Sequence, residues 1–316
     1  MAAPSPLTGA VSLAEAAKLS QDDLQRGVLE TFVQESVVLD RLPFLTIQGN
    51  AYAYNQEESL PGVAFRSVNE GYDPSTGTVN QKTETLYILG GDADVDTFIQ
   101  QTRGDLNNQR AIQTAMKVKA ASYQFQDSFI NGDHDANAKE FDGLAKRLTG
   151  SQVLTADAPA TKAAAGDFLD IMDELVAAVQ GDPDVIYANR KFIARLKAMG
   201  REVGGVEMVQ ADLNGKRTVM WNGIPVVDLG QKPNGDDIIP LDEGTGEDET
   251  SLYAVRFGAN EHDRGVTGLT NGGVQVRDLG ELDSHPAYRT RIEFFCGLAV
   301  FGGKAAARLQ GVKFEA

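Results

Sequence analysis

Residues 50–84 constrain this chain more than any other stretch, because they are extended but bring no core of their own. Ala51-Tyr52-Ala53-Tyr54, Gly62-Val63-Ala64-Phe65 and Thr76-Gly77-Thr78-Val79 are short extended pieces separated by polar turns such as Gly71-Tyr72-Asp73-Pro74. Glu57, Glu58, Arg66, Glu70, Asp73, Lys82 and Glu84 are scattered through them, leaving too little apolar surface for independent folding. The pattern predicts a long two-stranded excursion, which is at best marginally stable in water until something packs on it. Its partner is either the rest of this chain or another copy.

Around this excursion the chain alternates helical and extended signals. Met1 to Ser12 is small and punctuated by Pro and Gly, and reads as an arm. Ser20 then caps a predicted helix, with Leu24, Val28, Leu29, Phe32 and Val33 at helical spacing, running to about Val38. Leu86 to Leu89 reads as a strand broken by Gly90-Gly91. Asp105 to Ile130 is the longest helical stretch, with a stripe of Ile112, Met116, Ala120 and Tyr123 thickened by Val118, Phe125 and Phe129. A second helix is expected over Asp167–Gln180, capped by Asp167 and stopped by Gly181 and Pro183. The buried strand Val185–Ala188 follows, and then a helix capped by Asn189 and ending at Gly200. Helix, strand and helix in so short a span suggest an α/β subdomain with a central sheet. Short strands are predicted at Thr218–Trp221, Ile224–Val227 and Leu252–Val255, with a solvated acidic loop from Asp236 to Thr250. A core strand is predicted from Tyr288 to Phe301, packing against much earlier elements.

Composition narrows the chemistry. The 316 residues carry 29 Lys and Arg against 45 Asp and Glu, a net charge of −16, which argues against a surface built to clamp nucleic acid. The single Cys296 excludes an intramolecular disulfide and, within Phe294-Phe295-Cys296-Gly297-Leu298, reads as a buried hydrophobe. The first residues lack a basic, then apolar, secretory pattern, and no window approaches a membrane helix, so a soluble protein of a reducing compartment is expected. No phosphate-binding glycine loop, dinucleotide fingerprint, nucleophile elbow or paired metal-binding histidines occur. Asp133-His134-Asp135 and Glu261-His262-Asp263 have no second His or Cys at ligand spacing, and read as solvated loops. No catalytic, cofactor or metal residue is assigned.

Taken in order, these parts resemble the major capsid proteins of tailed double-stranded DNA bacteriophages, the Hong Kong 97 fold family. The strings that carry the resemblance are Phe141-Asp142-Gly143-Leu144; Val185-Ile186-Tyr187-Ala188-Asn189-Arg190; Trp221-Asn222-Gly223-Ile224-Pro225-Val226-Val227; and Tyr288-Arg289-Thr290 through Gly297-Leu298-Ala299-Val300 to Ala305. Together they span about Ser20 to Val312.

The resemblance implies an α+β fold. Residues 1–45 would form the N-terminal arm and first helix, and 46–90 an extended β-ribbon loop, reaching over a neighbouring subunit, with its return strand. Residues 91–155 would hold the spine helix and peripheral domain, 156–285 the axial domain, and 286–316 the return to the peripheral domain. The function implied is assembly of pentamers and hexamers into an icosahedral virion shell around double-stranded DNA, built in the bacterial cytoplasm without a membrane or a cofactor. Candidate intersubunit contacts are Tyr52, Tyr54, Phe65, Arg66 and Tyr72, some of which could instead pack within their own subunit. The ribbon and the long helix begin too early to leave room for a cleaved scaffolding segment. A separate scaffolding protein, or none, is therefore expected, together with a portal and a cement protein or noncovalent locking. Lys82 lies at the ribbon base with no matched acceptor Asn or assisting Glu, which argues against autocatalytic crosslinking. The first alternative is an encapsulin, a nanocompartment shell of the same fold enclosing a cargo enzyme, although no cargo-binding face is legible in the first helix. The second is a soluble α/β enzyme with no recognisable motif.

Overall fold

The computed structural model describes residues 32, 36–59, 61–103, 109–156, 159–161, 164–202, 209–211, 217–232, 234–243 and 249–313. The expected arm, the Ser20 cap and most of the first helix lie outside them. Phe32 is described and fully buried, its ring edge-on to Phe294 at 5.4 Å. The predicted helix does not run unbroken to Val38. Ser36 is extended and its side chain accepts from the Leu39 amide, starting the separate short helix α1, Val37–Arg41.

In chain order there follow β1 (Phe44–Thr46), β2 (Ala51–Ser59), β3 (Thr78–Thr85), β4 (Tyr87–Asp96), α2 (Thr97–Arg103), α3 (Gln109–Asn131) and α4 (Leu144–Arg147). Next come β5 (Val153–Thr155), α5 (Ala165–Ala177), β6 (Val185–Ala188), α6 (Arg190–Glu202), β7 (Val209–Ala211), β8 (Arg217–Trp221) and β9 (Ile224–Asp228). The chain closes with β10 (Glu249–Val255), β11 (Val266–Glu281), β12 (Ala287–Val300) and β13 (Ala306–Lys313).

Among the described residues the strands form three sheets. One is four-stranded in the order β1-β11-β12-β4, one is seven-stranded in the order β5-β13-β10-β6-β9-β8-β7, and β2-β3 form a two-stranded sheet of their own. The four-stranded sheet brings the late strand β12 beside the early β4, with Ile292 opposite Gly91 and Phe294 opposite Leu89. One face, carrying Val274, Ile292, Phe294, Cys296 and Leu298, is covered by α3 and α1. Phe44, Phe125 and Phe294 meet there, with ring centroids 5.7 to 6.1 Å apart. Rings at such distances and tilts add attraction beyond their burial.

The 23-residue α3 spans about 35 Å at 1.5 Å per residue. Its buried face is not the stripe that the apolar spacing suggests. Val118, Phe125 and Phe129 turn inward with Thr114 and Ser122, whereas Ile112 and Met116 point out to solvent. Both faces carry apolar residues, so periodicity alone points to either one. The C-terminal end of α3 reaches the seven-stranded sheet, where Phe129 meets Tyr187 edge-on at 6.1 Å. The opposite face of that sheet holds a second core, with Phe168, Met172 and Leu175 of α5 and Phe192, Leu196 and Met199 of α6.

Several expectations change here. Gly90 and Gly91 do not break β4, which runs through them. A Cβ on Gly90 would lie 2.2 Å from the Ile292 carbonyl oxygen, so this glycine permits the close approach of β12. The cap position of α5 is Ala164, without a side-chain hydrogen bond, and Asp167 sits in the first turn, where its charge favours the helix dipole. Asn189 does cap α6, accepting from the Lys191 amide at 2.9 Å. The Asp236–Thr250 segment is not all solvated. Ile238 and Ile239 are buried, and their carbonyls accept from Asn131 and Asn189 at 2.7 and 2.8 Å.

Gly90→Ala should therefore destabilise the chain by about 1–3 kcal/mol through forced strand separation. Gly91→Ala, whose new Cβ would first meet the flexible Lys117 side chain at 3.2 Å, should change stability by less than about 0.5 kcal/mol. Urea denaturation of the two variants beside the parent checks the contrast.

Candidate assembly surface

Alternation along β2 places Tyr52 and Tyr54 on one face, and that face turns toward the outer side of the four-stranded sheet. Their rings lie 6.4 Å apart, and both approach Phe301 edge-on, at 6.0 and 4.9 Å. With Ile47, Leu269 and Ala299 they form a small third core. Gly297 allows this docking, since a Cβ there would come within 2.9 Å of the Thr85 carbonyl oxygen.

Polar contacts fix the same base. The Tyr54 hydroxyl lies 3.2 Å from the Val300 carbonyl oxygen and 3.3 Å from Glu84 Oε1, both acceptors. Arg147 of α4 donates from Nη1 and Nη2 to the two Glu84 oxygens at 2.6 and 2.7 Å, and from Nε to the Asp142 carbonyl oxygen at 2.6 Å. Burial, then the Glu84 charge, push the Tyr54 hydroxyl far above the ordinary phenol range. Burial works against the Arg147 charge, but the bidentate Glu84 bond outweighs it and holds the guanidinium protonated. Glu261 completes the anchor by accepting from the Tyr52 hydroxyl at 3.4 Å and the Asn55 amide at 3.3 Å.

Beyond this base, residues 61–77 make no hydrogen bond, ion pair or ring contact with any other described part of the chain. Residues 61–80 are all exposed, with Val63 at 96 %, Phe65 at 108 % and Val68 at 89 %. Among the described residues, the tip's contacts are with itself. The Arg66 guanidinium lies 5.2 Å over the Tyr72 ring, the Ser75 hydroxyl donates to the Gly62 carbonyl at 2.9 Å, and the Ser67 amide donates to Glu70 Oε2 at 2.9 Å.

The five candidate contact residues thus divide. Tyr54, 3 % exposed, and the half-buried Tyr52 pack within their own chain, whereas Phe65, Arg66 and Tyr72 stand in solvent. Other exposed apolar side chains, Phe98 and Ile99 of α2 and Ile112 and Met116 of α3, were not among the sequence candidates for contacts. Their only sequence signal is an apolar stripe in excess of what one helix face can bury.

The remaining chemistry-bearing residues are otherwise engaged. Asp133 and Asp135 pair with Lys146, as does Asp142 at 3.0 Å, and His134 Nδ1 is hydrogen-bonding distance from the Tyr87 hydroxyl at 3.2 Å. Among the described residues no three His, Cys, Asp or Glu could hold a metal ion, and no helix is long and apolar enough to cross a membrane. Cys296 is fully buried, which drives its thiol pKa up and keeps it neutral.

Two family models match the chain. Major capsid protein GP7 matches residues 20–162, and type 2A encapsulin shell protein SrpI-like matches residues 102–284, more than half of the chain. Among solved structures, the holo-SrpI encapsulin complex from Synechococcus elongatus PCC 7942 is 20 % identical over 88 % of this chain and 89 % of that one, with a TM-score of 0.67. A chain from the structure of Microbacterium phage Oxtober96 is 12 % identical over 88 % and 90 %, at 0.62. The capsid of a native GTA particle is 13 % identical over the same shares, at 0.62. No curated protein sequence matches. The architecture is thus a mixed α/β fold of the Hong Kong 97 type, a fold common to viral capsids and encapsulins.

Arg147→Ala should destabilise the base by about 3–5 kcal/mol, because it leaves the Glu84 carboxylate poorly solvated and unpaired. The double change Glu84→Gln with Arg147→Met should cost distinctly less, and urea denaturation of both separates the ion pair's geometry from its charge.

Proposed function

The chain belongs to the SrpI-like family of type 2A encapsulin shell proteins, and from that premise we propose that many copies close into an icosahedral shell, assembled from pentamers and hexamers, that encloses a cargo protein. The observation that carries this reading is the two-stranded sheet. Its base is fixed by aromatic and ionic contacts, yet its tip presents Val63, Phe65 and Val68 to water. An ordered apolar tip with no partner elsewhere among the described residues is the form expected of a surface that a neighbour covers. In this reading residues 46–90 reach over the adjacent subunit. Residues 91–155 and 286–316 make the peripheral body, and residues 156–285 turn toward the symmetry axes. Each contact is small, and the closed shell is stabilised because every subunit makes several at once.

A viral shell around double-stranded DNA is the second reading. The match of residues 20–162 to major capsid protein GP7 and the likeness to the capsid structure of cyanophage P-SCSP1u support it. It would add a portal and either a scaffolding or a cement protein as partners. The longer stretch matched by the encapsulin model favours the compartment. The net charge of −16 suits either, since an acidic wall does not bind packaged nucleic acid.

Purification from the native host, followed by negative-stain electron microscopy, absorbance and mass spectrometry, tests both. Closed particles with low nucleic-acid absorbance and one co-purifying enzyme are expected. Closed particles filled with DNA would transfer the assignment to the viral reading, and a persistently monomeric or dimeric protein would remove both.

A further inference from the structure

Helices α5 and α6 lie in one layer on the same face of the seven-stranded sheet, and their apolar sides meet where Phe168 and Phe192 sit 5.8 Å apart. Their outward sides carry opposite charge. On α5, Asp167, Asp170 and Glu174 are exposed and fall on one side, within about 60° at 100° per residue. The α5 helix bears no Lys or Arg at all. On α6, Arg190, Lys197 and Arg201 are exposed and fall within about 40°, with exposed Lys191 beside them. A helix this basic is unusual in a chain with 45 acids and 29 bases.

Arg190 acts on the Asp228 carboxylate through space without a close ion pair. Among the described residues, no ion pair joins Arg190, Lys191, Lys197 or Arg201 to a carboxylate, or Asp167, Asp170 or Glu174 to a cation. Elsewhere the chain pairs its charges closely. Arg291 grips Asp92, Arg289 grips Asp94 and Arg147 grips Glu84, each with two bonds. The acidic row is about 10 Å long and the basic row about 16 Å at 1.5 Å per residue, so the two can lie against each other.

We propose that the acidic face of α5 in one subunit docks against the basic face of α6 in the next, making a head-to-tail contact between neighbours within each ring. The inference rests on the shell reading above and gives it a specific pairing. Two different patches that complement each other form a heterologous contact, which closes into a ring when the rotation per subunit allows. Two-fold pairing through either patch alone would bring like charges together and is disfavoured. Exposed ion pairs are weak singly, but repetition around a ring makes closure depend on all of them. The alternative occupant of α6 is a nucleic-acid backbone, which the bulk negative charge opposes and the complementary α5 row does not require.

The test uses the full chain in three forms: Arg190→Glu with Lys197→Glu and Arg201→Glu; Asp167→Lys with Asp170→Lys and Glu174→Lys; and all six together. Sedimentation at physiological salt reads the assembled fraction, and circular dichroism melting shows that each is folded. Each triple variant should lower the assembled fraction by at least about tenfold, and the sixfold swap should restore it to within about threefold of the parent. Milder Lys197→Gln with Arg201→Gln, as the form least prone to misfold, should shift assembly in the same direction. Particles that form normally from both triple variants overturn the pairing while leaving the shell reading intact. So does a swap no better than its parts, or an α6 variant that assembles normally but loses bound nucleic acid. A parent chain that forms no particles overturns the shell reading, and this pairing with it.

Discussion

Two strands with polar outer faces cannot hold themselves together in water, and the rest of this architecture answers that constraint. The base of the excursion is stabilised by burial of Tyr52 and Tyr54 against Phe301 and by the bidentate Arg147–Glu84 pair. Those partners come from widely separated parts of the chain. Arg147 stands on α4 behind the long helix, while Phe301 follows the late strand β12. The base of the excursion therefore packs on a residue that directly follows β12, the strand paired with β4, which ties local to long-range structure. Its far end has no such support, and that asymmetry between a fixed root and an uncovered tip is the physical basis for assigning the chain to an assembly.

The seven-stranded sheet poses a second problem, that of covering two faces. One is covered from within by Phe129, Ile238 and Ile239, so the acidic segment after β9 is tied down where its composition alone suggests solvent. The other is covered by α5 and α6, whose apolar sides are consumed in that role. What remains outward is charge of opposite sign on adjacent helices. A shell subunit with net charge −16 must still attract its neighbours, and segregated charge lets it do so while keeping dispersed subunits soluble.

Much of this was legible in the sequence where one physical signal dominated. The strand Val185–Ala188 and Asn189, the cap of α6, are found as read, because the apolar run is short, β-branched at its start and bounded by Pro183 on one side and an N-cap on the other. The two-stranded excursion was legible for the same reason, as was the burial of Cys296. Signals that depended on distant partners misled. Gly90 reads as a strand breaker until Ile292 is known to lie against it, and the solvent-facing stripe of α3 reads as core because its spacing is as good as that of Phe125 and Phe129. Of the candidate contact residues, alternation marked Tyr52 and Tyr54 as one face. Nothing local could tell that the face would meet Phe301, more than two hundred residues later.

The central claim is that a neighbouring subunit covers the tip around Phe65. Hydrogen–deuterium exchange over residues 61–77, compared between dispersed subunits and assembled particles, tests it most directly. The account predicts rapid exchange in the dispersed chain and slowing of at least about tenfold on assembly, as expected when an open segment becomes protected by contact. Equal, rapid exchange in both states would show that the tip stays in solvent within the shell, and would contradict the account.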